Sequence, residues 1–154
     1  MSETTGLASI RRRREALHQA VVGLEDTLAA PVGDGEHWRL RVAMAVDHAV
    51  ARIGEHIAET EGPGSILDQI RQTAPRLSRR IDQMRVDHER LEKAGHALAH
   101  AVADLGESEG EGMPDRANAV RNQAIEMMGQ IARHRQRGAD LLFEAYHVDL
   151  GNSS

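Results

Sequence analysis

Residues 77–105 read LSRRIDQMRVDHERLEKAGHALAHAVADL. Within them Leu77, Ile81, Met84, His88, Leu91, Gly95, Leu98, Val102 and Leu105 step by four and three without a break. Residues so spaced line one face of an α-helix, and a stripe of this length is the seam of a left-handed helix bundle. Pro75, suited to a first helical turn, opens the stretch, and Gly106, suited to the place just beyond a last turn, closes it.

The same pattern extends outward in both directions. Val42, Val46, Ala49, Ile53, His56 and Thr60 mark a preceding helix that starts near Glu36, with Asp34 as its N-cap, and stops at Gly62-Pro63-Gly64. Before it, Ile10, Arg14, Leu17, Val21, Leu24 and Leu28 mark a helix from about Leu7 to Ala29, its stripe interrupted by Arg14. After residue 105 comes a Gly- and Glu-rich loop from Gly106 to Met113. Pro114 then opens a helix to about Leu150, with Gly151 as its stop, along Val120, Ala124, Met127, Ile131, His134, Gly138, Leu141, Ala145 and Val148. Ser65 with Asp68 three residues on predicts a capping box and a short helix to about Thr73. No strand candidate, repeat or second domain remains. Short connections between long helices favour antiparallel neighbours. The expected fold is therefore all-α: an up-and-down antiparallel four-helix bundle with a short extra helix between its second and third helices. One domain over residues 1–154 is expected, with disordered ends at about 1–6 and 151–154.

Composition agrees. Only 2% of the 154 residues are aromatic, and Ala, Leu, Arg, Glu and Gln, better suited to helices than to sheets, dominate. The formal net charge of −5 gives no general attraction to phosphate backbones, so no nucleic-acid partner is expected. Without cysteine there is no disulfide, thiolate nucleophile or Cys-based metal site. The N-terminus lacks the apolar run of a secretory signal, and no stretch is long enough to span a bilayer. A cytoplasmic location without a membrane partner is the expectation. No Gly-rich phosphate loop, nucleophile elbow or triad order occurs, so hydrolase and kinase roles have no support and a non-enzymatic role is expected.

Nine histidines remain to be explained. His56, His88 and His134 occupy seam positions where apolar side chains belong, and a buried imidazole is costly unless its nitrogens find partners. Counting levels from the helix ends brings His88 opposite His134. His18 flanks the first seam, at about the level of His48. His37, His48, His96, His100 and His147 fall off the seams, on solvated faces. Imidazole is the commonest metal ligand, and bundles build metal sites from inward side chains on facing helices. Two readings stay open: a metal site, or structural histidines bonded to Glu92, Asp140 or Thr60.

Other features have plainer expectations. The spacings Glu15/His18 and Glu144/His147 match ferritin-like ligand pairs. Glu144 and His147 only flank the seam near the end of the sequence, off the level of His88 and His134, and chance spacing is the plainer reading. Arg11 to Arg14 spread around a helix, giving a solvated face with one internal arginine. Arg133, Arg135 and Arg137 are placed to pair with Asp140 and Glu144, or with an acid inside the bundle.

The stretches His56-Ile57-Ala58-Glu59-Thr60-Glu61, Asp87-His88-Glu89-Arg90-Leu91 and His134-Arg135-Gln136-Arg137-Gly138-Ala139-Asp140-Leu141 resemble the haemerythrin-like (HHE cation-binding) family, specifically an actinobacterial branch. The resemblance covers about Leu7 to Gly151. It implies a non-haem di-iron centre held by histidines from all four helices and bridged by two carboxylates. Such a centre would be used for oxygen, nitric oxide or redox sensing or for iron handling, with dioxygen, nitric oxide or peroxide as ligands. Departures from the family's carboxylate pattern leave one or two ions open. Carried over, His18, His56, His88 and His134 match the histidines of the four helices, with Glu61 as the available acid. The family's helix-two carboxylate position holds Thr60, and its helix-four position holds Gly138. The outcomes this leaves are a single metal, a site rearranged onto Glu61, or a metal-free helical-bundle interaction module.

Overall fold

The computed structural model describes residues 2–106 and 112–147, with side chains from Gly6 onward. Four long helices account for most of them: α1 (Ser2–Ala29), α2 (Gly35–Glu61), α4 (Ser78–Leu105) and α5 (Met113–Tyr146), with the short α3 (Ile66–Thr73) and a 3-10 turn (Pro75–Leu77) between α2 and α4. No strand occurs among the described residues. No described helix is long and apolar enough to cross a membrane.

The ends follow local chemistry, with differences from expectation. Asp34 caps α2, its Oδ1 accepting from the Glu36 N–H at 3.2 Å. At α3, Ser65 makes no capping hydrogen bond; Asp68 instead reaches back past it to the Gly64 N–H at 3.3 Å. Gly64 has φ 72°, which its missing Cβ permits, so the chain turns there and leaves Ser65 outside the box geometry. Pro75 lies in the 3-10 turn, and α4 begins after it. α1 starts at Ser2, before Leu7, since no proline interrupts the first turns. α5 stops at Tyr146 and not near Leu150: His147 takes the left-handed conformation (φ 57°) that a terminal glycine usually takes, and its N–H bonds to the Phe143 carbonyl at 2.6 Å. The 107–111 part of the predicted loop, the seam position Val148, the Gly151 stop and the expected end at 151–154 lie outside the described residues.

Helix α1 packs on α2, α2 on α4, and α4 on α5. Cross-helix contacts give the directions. Gly106 lies against Arg39, Gly95 against Val50 and His88 against Glu61, so α4 runs opposite to α2. Gly138 lies by Met84 and Arg80 pairs with Glu144, so α5 runs opposite to α4. Arg121 reaches Leu28 while Arg135 reaches His18, so α5 also runs opposite to α1.

The predicted seams are the core. Leu24, Val42, Ala49, Ile81, Leu98, Val120 and Ala124 have at most 1% of their surface exposed. That core is split in two. The larger cluster holds Leu17, Leu24, Ile53, Leu91, Leu98 and Ile131 among others; the smaller holds Ile10, Leu67, Ile70, Ile81, Met84, Leu141 and Leu142. At the break every long helix places a polar seam residue: Arg14 on α1, His56 on α2, His88 on α4 and His134 on α5. Arg14, the interruption in the first stripe, is therefore a member of a polar layer.

Candidate metal centre

Each of the three histidines follows an apolar seam residue by three or four positions, and the 4-3 register carries the ring inward with that residue. His88 and His134 are 1% and 3% exposed, and His56 is partly buried. The Nε2 atoms converge. His134 Nε2 lies 3.1 Å from His56 Nε2 and 3.0 Å from His88 Nε2. The rings meet at steep angles, with centroids 4.6–5.2 Å apart. Among the described residues these three make up the group whose nitrogens could share one ion, every ligand atom lying within 4.8 Å of the others.

The far nitrogens of His88 and His134 each face an acid. The His88 Nδ1–H donates to Glu61 Oε2 at 2.6 Å. His134 Nδ1 points to Asp87 Oδ2 at 3.5 Å. Asp87 is only 6% exposed and also accepts from Arg137 Nη1 at 2.8 and 2.9 Å and from Gln83 Nε2 at 3.2 Å. Those bonds hold the Asp87 carboxyl below its ordinary value against the opposing effect of burial. Burial pushes Glu61 up. The same loss of water pushes His56 down to about 3 and His88 and His134 each down to about 4, with neighbouring rings or arginines adding to it.

These facts leave the centre one proton short. With Glu61 ionised, His88 keeps its proton on Nδ1 and turns a lone pair toward His134. A neutral His134 Nε2 either donates or accepts, so one proton cannot satisfy both short contacts. Burial opposes a second proton. A cation among the three Nε2 atoms would accept all three lone pairs. The two short spacings suit one: ligand nitrogens about 2.0–2.1 Å from a metal, at angles between octahedral and tetrahedral, stand about 2.9–3.4 Å from each other.

Two expected residues stand elsewhere. Glu61 meets the far nitrogen of His88, where a carboxylate orients a ligating imidazole instead of ligating itself. His18 faces a cavity of about 240 Å3 that also borders His56 and His134, and its Nδ1 accepts from Arg135 Nη1 at 3.0 Å. The acids and hydroxyl proposed for the structural alternative are not the partners found. Glu92 and Asp140 are exposed, and the Thr60 hydroxyl donates to the His56 carbonyl of its own helix at 2.9 Å. Gly138 packs toward Met84, where a Cβ would come within 3.4 Å of Cε. Neither Thr60 nor Gly138 therefore offers a carboxylate to the centre.

Asp87 was not legible as part of the site. Its signals were its place beside His88 and its position: it follows Met84 by three and precedes Leu91 by four, so it borders the seam. Of the two pairings open to the 133–137 arginines, the one with an acid inside the bundle occurs: half-exposed Arg137 pairs with buried Asp87. Glu144 instead pairs with Arg80. The remaining histidines, 37, 48, 96, 100 and 147, are exposed as their spacing predicted.

No family model, curated protein or solved structure matches this chain.

Proposed function

We propose that this chain is a metal-binding protein in which His56, His88 and His134 hold one divalent transition-metal ion through Nε2. The observation that carries the proposal is the pair of Nε2 contacts at 3.0 and 3.1 Å, in which neutral rings leave one lone pair facing another. Glu61 and Asp87 then serve as the carboxylates behind two ligands, setting the tautomer and making the rings more basic. The arrangement belongs to an up-and-down four-helix bundle, consistent with the opposed helix pairs. The resemblance to haemerythrin-like proteins makes iron the expected ion, in a cytoplasmic setting, with dioxygen, nitric oxide or peroxide as ligands. With three nitrogen donors and no bridging carboxylate, the donor set suits one ion better than two.

Iron bound to three imidazoles would supply vacant coordination positions to a small ligand. The chain's own residues would keep that position dry and oriented. Ile131, Met84 and Leu141 line the adjoining cavity with apolar surface, and Arg14 keeps a positive charge near His56.

A test is metal analysis of protein purified from iron-supplemented cells. About one ion per chain is expected, lost in His88→Ala and in His134→Ala. Unchanged metal content in both variants would overturn the assignment. The second reading, a metal-free helical interaction module, is favoured by Thr60 and Gly138, which give no carboxylate to the centre. It requires that wild-type protein bind no added iron, zinc or manganese.

A further inference from the structure

Arg14 sits in the polar layer with no acidic partner among the described residues. Burial pulls its guanidinium below the ordinary value, and the neighbouring charge that adds to this is another cation, Arg135. Arg135 donates to His18 Nδ1 at 3.0 Å and has no ion pair among the described residues. Both arginines line the cavity of about 240 Å3. The acid on that lining, Glu25, is exposed and three turns along α1 from Arg14, roughly 16 Å at helical rise, too far to neutralise it. Two half-buried cations beside apolar surface are costly unless an anion joins them. Arginine's planar fork matches a carboxylate.

The rest of the wall is apolar. Ile10, Leu67, Met84, Leu141 and Leu142 come from the smaller core cluster, and Leu17 and Ile131 from the larger. The cavity is smaller than the roughly 300–1,000 Å3 that drug-sized ligands occupy, so it suits a short chain.

We propose that this cavity binds an aliphatic monocarboxylate, its head group held between Arg14 and Arg135 and its tail lying against Ile10, Met84 and Leu141. The arginines and the cavity wall carry this site, so it stands whether or not the histidines hold a metal. It also gives the chain a way to balance charge: a divalent ion at the histidines would add to two nearby guanidiniums, and a bound carboxylate offsets that accumulation.

The test is calorimetric titration of the full chain, before and after chelator treatment, with octanoate, acetate, octanol and octylamine. Octanoate is expected to bind at one site per chain in both preparations. Acetate, lacking the tail, and octanol and octylamine, lacking the anion, are expected to bind at least tenfold more weakly. Arg14→Gln and Arg135→Gln should each weaken octanoate about tenfold, as expected for one charge-assisted contact. Gly138→Leu keeps both arginines and directs a side chain from an ordinary contact distance toward Met84 and the cavity; it should retain its helical spectrum and lose octanoate. The proposal is overturned if octanoate fails to bind, if octanol matches it, or if both arginine variants bind it unchanged. Binding seen with metal and abolished by chelation would place the head group on the ion and overturn it too. Metal content measured alongside keeps failure here separate from failure at the histidines.

Discussion

Asp87 shows how one side chain can serve structure and chemistry together. It is buried, accepts two hydrogen bonds from Arg137 and one from Gln83, and faces His134. Asp87→Asn keeps the shape and removes the charge. Because Arg137 is half exposed, solvent screens the pair, and a stability loss of only about 1 kcal/mol is expected. Metal affinity should fall about 10–100-fold in a chelator competition, the usual consequence of losing a carboxylate behind a ligating histidine. An unchanged affinity would remove Asp87 from the site.

The histidines also set a pH dependence for the metal-free protein. Their folded values, about 3 to 4, lie below the ordinary histidine value of 6.5. Protons therefore bind the unfolded chain first as pH falls. The stability these rings contribute is complete above about pH 6.5 and is lost between there and pH 4. The slope is on the order of 1 kcal/mol per pH unit for each ring. Glu61, whose value is raised, acts in the opposite direction but is one group against three. Melting of chelator-treated protein between pH 7 and 4 should show a falling midpoint. His56→Leu should flatten the curve; an equal slope in that variant would contradict the account.

At the scale of elements, α5 holds the end of α1. Arg121 Nε donates to the Leu28 carbonyl at 2.9 Å and Nη2 to the Ala30 carbonyl at 3.1 Å, while its guanidinium lies over the Trp38 ring, 5.2 Å from the centroid. A cation at a helix C-terminus complements both the free carbonyls and the dipole. Arg121→Ala should destabilise by about 1–3 kcal/mol, lowering the melting midpoint by several degrees. No change would mean that water replaces those bonds at no cost. The 4-3 stripes foresaw the elements well because burial imposes the same period on all four helices. Their ends were less legible: His147 ends α5 in a backbone conformation associated with glycine or asparagine, which spacing does not announce.

For the whole molecule, a metal held by α2, α4 and α5 would tie three helices at one level. A ligand that binds only the folded chain stabilises it by about 2.7 kcal/mol at a hundredfold excess over its Kd. Chelation should therefore lower the midpoint of metal-loaded protein by roughly 5–11 °C for a chain of this size. A midpoint indifferent to chelation would argue for the metal-free module.

By itself the sequence determined the helices, their inward faces and the histidines that share those faces, because amphipathic periodicity is a local property of a chain. Which nitrogen of each ring turns to the centre, that Glu61 and Asp87 stand behind two of them, and that Arg14 and Arg135 share a cavity were decided only in the tertiary structure. The physical reason is that level and rotation between helices depend on how side chains interlock across the interface, over separations such as the 46 residues between His88 and His134. A stripe gives direction toward the core, and only packing gives distance across it.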